Sequence, residues 1–235
     1  MATYDEEFYR KLQDGARSSA RAIVPIVMDM LAPRSVIDLG CGVGTWLGVF
    51  REDGVEDVTG VDGHYVKADM LEIPRDRFVA ADLKEPFAIG RRFDLACSME
   101  VAEHLPPERS EEFVDTLVKL APAVLFSAAI PHQGGAEHIN ERWQDEWAAM
   151  FQKRGYMPVD CIRRRVWSDA RVEYWYAQNM LLYVRPEVAQ AHPKIQREYE
   201  AVGAAQLAIV HPKRYLEWVQ WGFEQCGRAN AARGG

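Results

Sequence analysis

The first part of the chain carries apolar side chains at spacings of three and four, separated by polar residues. These apolar positions run from Phe8 to Met30, and Pro33 follows shortly after. This spacing places one apolar stripe along a helix, and a proline just beyond the stripe is typical of a helix end. We therefore predict one long N-terminal helix that ends near Pro33.

Short apolar runs then alternate with segments that have helical spacing. The runs predict five buried strands, at residues 35–39, 58–62, 77–83, 93–98 and 123–129. Helical spacing recurs at residues 45–51, 108–120 and 141–154. Strands separated by helices are typical of an α/β domain with a mostly parallel sheet and right-handed crossovers.

The pattern changes after residue 155. Residues 157–166 and 176–184 predict two more strands, which we interpret as a terminal antiparallel hairpin. From Pro186 onward, prolines separate helical stretches that are dense in aromatic residues. We expect three parts: a helical lid (1–34), a central domain (35–185) and a C-terminal helical extension (186–235).

Composition and charge narrow the possible partners. The chain has 235 residues, a net charge of −7 and four cysteines without a CxxC pair. An acidic balance argues against a nucleic-acid partner, and scattered cysteines argue against a zinc site or a disulfide framework. We interpret the basic run Arg163–Arg165 as a solvated strand edge. With no apolar stretch long enough for a membrane span and no signal-peptide core, we expect a cytoplasmic protein with no membrane partner.

The strongest local signal is the segment Asp38–Gly44, with the sequence DLGCGVG, between the first strand and the next helix. Glycines in such a loop permit positive φ and let a ligand approach the backbone. The spacing is GxGxG, whereas dinucleotide-binding loops carry GxGxxG. Asp38 would repel a pyrophosphate but can attract a cationic ligand.

Together with the acids at the later strand ends, this loop resembles the class I S-adenosylmethionine-dependent methyltransferases of the small-molecule type. Asp62 ends the second strand, Asp82 and Leu83 end the third, and residues 93–105 (FDLACSMEVAEHL) match the fourth-strand motif. The separation of 22 residues between Gly40 and Asp62 is close to the ~20 expected for a ribose-binding acid. The resemblance covers roughly residues 35–185 and, more loosely, the N-terminal helix.

This resemblance implies a Rossmann-like three-layer sandwich with sheet order 3-2-1-4-5-7-6, strand 7 antiparallel, and S-adenosylmethionine as cofactor. It implies that Asp62 bonds the ribose hydroxyls, that Asp82 and Leu83 contact the adenine, and that the N-terminal helix closes over the cofactor. The implied cofactor-binding residues are Tyr9, Arg17, Asp38, Gly40, Cys41, Gly42, Gly44, Asp62, Gly63, Asp82, Leu83, Ser98, Met99, Glu100 and His104.

Each acid also has a simpler interpretation. Asp38 alone is compatible with a buried carboxylate bound by backbone amides, and Asp62 and Asp82 with helix caps. Their joint position at the carboxyl ends of consecutive strands, where doubly wound sheets bind ligands, favours the cofactor site.

The loop after the fifth strand is the candidate acceptor site, because it carries His132 and His138. A histidine with a pKa near 6.5 can take a proton from an attacking hydroxyl or amine, so we predict one of these two as the base. His104 is a third candidate, and the alternative for each histidine is a loop or cap hydrogen bond.

We expect no metal. The alternative is a site built from nitrogen and oxygen ligands in the same loop. The aspartate, aspartate, asparagine set of the catechol-type methyltransferases is not found clearly. The alternative ligands are His132, Glu137, His138 and Asn140.

The function that the resemblance implies is methyl transfer to an oxygen or nitrogen of a small molecule, a sugar or secondary metabolite. The aromatic C-terminal helices are candidates for a substrate cover or a homodimer interface. Nucleic-acid methyltransferases typically carry an Asn/Asp-Pro-Pro-Tyr-like segment where this chain has Ser98–Val101. A protein methyltransferase, a non-catalytic cofactor-binding module and a NAD-dependent oxidoreductase are the remaining alternatives.

Overall fold

The computed structural model describes the backbone of residues 6–202 and 206–233, and the side chains of residues 14–201 and 206–226. Seven strands form one sheet in this part of the chain: β1 (Ser35–Leu39), β2 (Asp57–Asp62), β3 (Phe78–Ala80), β4 (Leu95–Met99), β5 (Ala123–Ser127), β6 (Met157–Val159) and β7 (Leu181–Val184). The helices are α1 (Glu6–Leu31), α2 (Thr45–Glu52), α3 (Ser110–Leu120), α4 (Gln144–Gln152), α5 (Arg163–Val166), α6 (Tyr174–Asn179), α7 (Pro186–Ala191), α8 (Pro193–Val202) and α9 (Pro212–Arg233).

The sheet has the order β3-β2-β1-β4-β5-β7-β6, which confirms the predicted topology. Strands β1 to β5 pair in parallel, and β7 runs antiparallel to both β5 and β6. In this register Asp38 lies beside Gly60 on one side and Cys97 on the other. The carboxyl ends of β1, β2, β4 and β5 therefore meet along one edge.

Two apolar clusters cover the two faces of the sheet. Alternation along each strand sends neighbouring side chains to opposite faces, so Val36 belongs to one cluster and Ile37 to the other. The predicted N-terminal helix is confirmed as α1, whose Ile23 and Val27 are buried in the first cluster. Helices α3 and α4 contribute Leu117 and Phe151 to the second.

The segment between β6 and β7 differs from the prediction. The strand predicted at 157–166 ends at Val159, and α5 follows it. The strand predicted from 176 begins only at Leu181, because α6 occupies the preceding residues. The two strands do pair antiparallel, but through two helices rather than a hairpin turn. Tertiary packing overrides strand propensity here, because the helical turn buries Tyr176 and Met180 in one cluster.

The basic run 163–165 is therefore not a strand edge, which corrects the sequence-based interpretation. Arg163 is 1% exposed and pairs through Nη2 with Asp160 Oδ2 at 2.8 Å. Its Nη1 donates to the carbonyl of Leu207 at 2.7 Å. Arg164 and Arg165 instead pair with Glu198 at the surface. The buried guanidinium thus ties α5 to the segment that precedes α9.

Within the described residues, no helix has both the length and the apolar character that a bilayer crossing requires.

We expect Arg163→Ala to lower the free energy of unfolding by about 3–5 kcal/mol, because it removes the buried partner of Asp160 and the donor to the carbonyls of Gln178 and Leu207. Arg164→Ala is the matched control on the same helix, since its exposed ion pair is worth about 1 kcal/mol or less. Urea denaturation followed by circular dichroism measures both. Equal losses in the two variants would contradict the role assigned to Arg163.

Candidate active site

The glycine loop follows β1 directly, and its backbone is held in conformations that favour glycine. Gly40 has φ +84° and Gly42 has φ +55°. A Cβ on Gly40 would lie 2.3 Å from Val101 Cγ2, so that position excludes any side chain. A Cβ on Gly42 would meet nothing within 4 Å, so this part of the loop borders open space. A ligand can therefore reach the bare backbone at Gly42.

Asp62, at the end of β2, joins the glycine loop to its own strand. Its Oδ2 accepts the N–H of Gly42 at 2.6 Å, and its Oδ1 accepts the N–H of Gly63 at 2.6 Å. The Tyr65 hydroxyl also donates to Oδ1. Asp62 is 6% exposed, whereas Tyr65 is 79% exposed. The buried carboxylate of Asp62 is thus covered by an exposed tyrosine side chain.

Asp38 is fully buried inside β1, and its Oδ1 has no hydrogen-bond partner among the described residues. Burial, together with the smaller effect of the nearby charge of Asp62, raises the pKa of this carboxyl from 3.8 to about 7. A buried acceptor without a donor requires an explanation. A cationic ligand lying against the glycine loop would provide one.

The remaining predicted cofactor residues lie on α1, after β1 and β3, and in β4. Asp82 is exposed and its Oδ1 accepts the N–H of Lys84 at 2.9 Å, while Leu83 is partly buried beside the second apolar cluster. Arg17 of α1 pairs with Glu52 and Glu72. The side chain of Tyr9 lies outside the described residues. Cys41, Ser98 and Met99 are buried, and the Ser98 hydroxyl has no partner among the described residues.

Glu100 follows β4 in a left-handed conformation, with φ +54°. Such a conformation is uncommon for a residue with a Cβ and is found most often at functional sites. Its carboxylate accepts a hydrogen bond from Nε2 of Gln133 at 2.9 Å and another from Nδ2 of Asn179 at 3.1 Å. Burial raises the pKa of Glu100 despite these amide donors. The surrounding loops therefore hold one strained, buried carboxyl at the end of β4.

A second buried carboxyl, Glu103, lies one turn further along. It is 0% exposed, and neither of its oxygens accepts a hydrogen bond of ordinary geometry. Burial raises its pKa well above the usual value, and the neighbouring Glu100 adds to the shift. The rings of His104 and His138 meet edge to face beside it, with centroids 4.8 Å apart. Glu103, His104 and His138 can bring one ligand atom each within 4.8 Å of one another.

Glu141 organises the loop that carries the two predicted base candidates. Its carboxylate accepts the N–H of His132 at 2.6 Å and of Gly134 at 3.2 Å, and lies 3.1 Å from Nδ1 of His138. His138 is thereby directed towards His104. His132 instead lies on the exposed rim, where its ring contacts Trp218 of α9 at 5.1 Å. The structure does not bring the two histidines together.

The segment before α9 is fastened to this side of the sheet by buried amides. Gln178 Oε1 accepts the N–H of His211 at 2.8 Å, and Gln144 Nε2 donates to the carbonyl of Ile209 at 3.0 Å. Gln178 Nε2 also donates to Gln133 Oε1 at 3.1 Å, which connects the segment to the Glu100 network. The carbonyl of His132 accepts Nε1 of Trp218 at 3.0 Å. The C-terminal extension thus forms one wall of the site.

Sequence reasoning missed several of these residues. Glu103 was visible as an acid three positions after Glu100 and directly before a histidine. Tyr65 carried no sequence signal, because its role depends on the turn that follows β2. Two amides donate to Glu100, those of Gln133 and Asn179, and Gln178 donates in turn to Gln133. The strand predicted at 176–184 gave no indication that Gln178 and Asn179 lie on a helix beside Glu100. Only His138 of the alternative metal set lies in the histidine cluster, since the Asn140 side chain is bound to the Ala102 carbonyl and Ser110.

Comparison with known proteins agrees with this geometry. Residues 12–158 match a family described as a methyltransferase domain, which is more than half of the chain. The chain therefore belongs to the methyltransferases, and specifically to the class I enzymes that use S-adenosylmethionine.

Three solved structures illustrate the shared fold. The sugar N-methyltransferase KedS8 from Streptoalloteichus sp. is 15% identical, with a TM-score of 0.56, over 77% of this chain and 92% of that chain. Magnesium protoporphyrin IX methyltransferase from Synechocystis, with bound S-adenosylmethionine, is 19% identical with a TM-score of 0.53, over 77% and 87%. An O-methyltransferase family protein from Burkholderia thailandensis is 14% identical with a TM-score of 0.54, over 76% of this chain but only 57% of that chain.

Proposed function

We propose that this methyltransferase moves the methyl group of S-adenosylmethionine to an oxygen or nitrogen nucleophile of a small molecule, of the sugar or secondary-metabolite class. One observation carries the proposal. The open glycine loop with its two buried acids, Asp38 and Asp62, lies at the same sheet edge as the polar groups around Glu100. A cofactor pocket and an acceptor pocket would therefore share one border.

The residues around the glycine loop carry charges that suit S-adenosylmethionine. The free oxygen of Asp38 suits the cationic amino-acid end, beside the bare backbone of Gly40, Cys41, Gly42 and Gly44. Asp62 and Gly63 would hold the ribose, and Asp82 and Leu83 the adenine. Ser98, Met99, Glu100 and His104 would border the sulfonium, with Arg17 and Tyr9 of α1 as lid contacts.

S-Adenosylmethionine, when bound, would supply a methyl group on a positively charged sulfur, and transfer of that group to the nucleophile would release S-adenosylhomocysteine. The chain contributes alignment, which provides much of the rate, and a base where the nucleophile carries a proton. His138, directed by Glu141, and His132, on the rim beside Trp218, remain the two candidates for that base.

A small acceptor is favoured over a polymer for two reasons. The net charge of −7 opposes binding of a phosphate backbone. The segment 207–211 and the start of α9 also cover the acceptor side of the crevice, through Gln178 and Trp218.

We propose that the C-terminal helices also form a homodimer interface. Helix α9 exposes five large apolar or aromatic side chains, a density typical of interfaces: Tyr215, Leu216, Trp218, Trp221 and Phe223.

The ribose assignment predicts opposite effects for two neighbouring substitutions. Asp62→Ala removes the acceptor for the ribose hydroxyls and should weaken S-adenosylmethionine binding at least tenfold. Tyr65→Phe removes the hydroxyl that competes for Asp62 and should strengthen binding severalfold. Isothermal titration calorimetry measures both. Near-normal affinity in Asp62→Ala would refute the ribose role.

The raised pKa of Asp38 predicts that cofactor affinity depends on pH. Without cofactor, the folded chain holds this proton more tightly than the unfolded chain, so Asp38 lowers stability as pH rises from about 4 to about 7. A cationic ligand favours the ionised form, so affinity should rise about tenfold between about pH 6 and about pH 8. The increase should be absent in Asp38→Asn; if that variant keeps it, another group is responsible.

The acceptor assignment is tested by measuring S-adenosylhomocysteine release with panels of hydroxylated and aminated small molecules, RNA, DNA and peptides. We expect turnover only with small molecules. With the acceptor found, His132→Ala and His138→Ala are compared at saturating cofactor. Loss of turnover in one variant identifies the base, and full activity in both removes the base hypothesis.

The interface assignment predicts that the chain is a dimer in solution by multi-angle light scattering. The double variant Trp221→Ser, Phe223→Ser should be monomeric, because it removes two exposed aromatics while leaving the contact of Trp218 with His132 intact. A wild-type monomer at micromolar concentration would contradict the dimer.

A further inference from the structure

The carboxyl of Glu103, beside the proposed acceptor pocket, is buried without a partner that would offset the cost of its burial. It is fully buried, neither oxygen accepts a hydrogen bond of ordinary geometry, and a second carboxyl, that of the half-buried Glu100, lies next to it. A buried carboxylate without donors is expensive unless it is protonated, paired or bound to a metal. No lysine or arginine in the described residues forms an ion pair with either glutamate.

Two histidines complete a set of potential ligands. His104 and His138 come from different loops, yet their rings touch with centroids 4.8 Å apart. Each can place a ligand atom within 4.8 Å of the other and of a Glu103 oxygen. Both rings are partly exposed, so an ion in solution has a path to them.

The histidine and carboxylate groups are themselves held in place. Nδ1 of His138 lies 3.1 Å from Glu141, in the carboxylate–histidine pairing that commonly orients a metal ligand. The backbone of the Glu103 turn is fixed by Ile139 and Asn140, whose N–H groups donate to the Glu103 carbonyl at 2.9 and 3.0 Å. The loop that carries His138 is thereby attached directly to the turn that carries Glu103 and His104.

We propose that Glu103, His104 and His138 bind one divalent transition-metal ion at the border of the acceptor pocket, with Glu100 as a neighbouring carboxylate. Two imidazoles and a carboxylate suit Mn²⁺, Fe²⁺, Co²⁺ or Zn²⁺ better than the oxygen-preferring Mg²⁺ or Ca²⁺. This replaces the expectation of no metal. It deepens the proposed function, on which its catalytic meaning rests: the ion would bind an acceptor oxygen, and His132 would then be the histidine free to act as base.

The test uses the full chain, stripped with EDTA, without an affinity tag and without acceptor. Titration with Co²⁺, followed by visible absorption, should show one site per chain with micromolar or tighter affinity. Glu103→Gln and His138→Ala should each weaken Co²⁺ binding by at least tenfold, in line with the loss of a ligand. His192→Ala, a histidine at the end of α7 and outside the cluster, is the matched control and should bind as the wild type does.

Three further measurements test the stabilising effect of the ion, the choice of ion and the independence of the cofactor site. Mn²⁺ should raise the melting temperature of the wild type but not of Glu103→Gln, which keeps the shape of the side chain and should fold. Mg²⁺ should bind at least tenfold more weakly than Mn²⁺; equal binding would overturn the choice of ion. S-adenosylmethionine affinity, measured on the same variants without metal, should stay within about threefold of the wild type, so failure of the metal site and failure of the cofactor site are distinguishable.

The proposal is overturned if Co²⁺ and Mn²⁺ do not bind at millimolar concentration. It is also overturned if Glu103→Gln and His138→Ala bind as tightly as the wild type. In either case a proton shared between Glu100 and Glu103 would be the compensation for the buried charge.

Discussion

The contact between Asp62 and the N–H of Gly42 is the interaction on which the site depends. It joins the end of β2 to the loop after β1, so the two strand ends form one surface. The same carboxylate accepts the N–H of Gly63, which leaves little freedom in its position. Parallel pairing brings these ends together, and the glycine loop keeps the surface free of side chains. The proposed cofactor site is built on that arrangement.

The site contains several buried carboxyls, and burial of an ionisable group lowers the stability of a fold. Asp38, Glu100 and Glu103 are held away from water, and burial raises the pKa of each. Glu100 also adopts a backbone conformation that is unfavourable for its type. Two cationic ligands, the proposed cofactor beside Asp38 and the proposed metal ion beside Glu103, would stabilise the ionised form of these carboxyls. Ligand binding would then stabilise the protein where the empty site weakens it.

The sequence predicted the topology well because the relevant signals are local. The DLGCGVG loop, the acid at position 62 and the alternation of strands and helices each depend on a few adjacent residues, and the strand order followed from the resemblance. The start of β7 was mispredicted because α6 begins with three aromatic residues, Tyr174 to Tyr176, which favour strands. The helical spacing of four was present all the same, in Val172, Tyr176 and Met180, which are all buried.

Much of the acceptor side was beyond sequence reasoning. The approach of His138 to His104, the attachment of His132 to α9 and the amide network on Glu100 join residues that are far apart in the chain. Tyr65 covers Asp62 only because of the turn that places it there. Such contacts depend on loop conformation, for which the chain carries no periodic signal.

A crystal structure with bound S-adenosylhomocysteine would show directly whether the nucleoside lies across the ends of β1 and β2. We expect ribose hydroxyls on Asp62 with the Tyr65 hydroxyl displaced, the amino group of the ligand beside Asp38, and the sulfur facing the loop of Glu100. A structure in which Tyr65 still covers Asp62 while the nucleoside lies elsewhere would contradict this expectation.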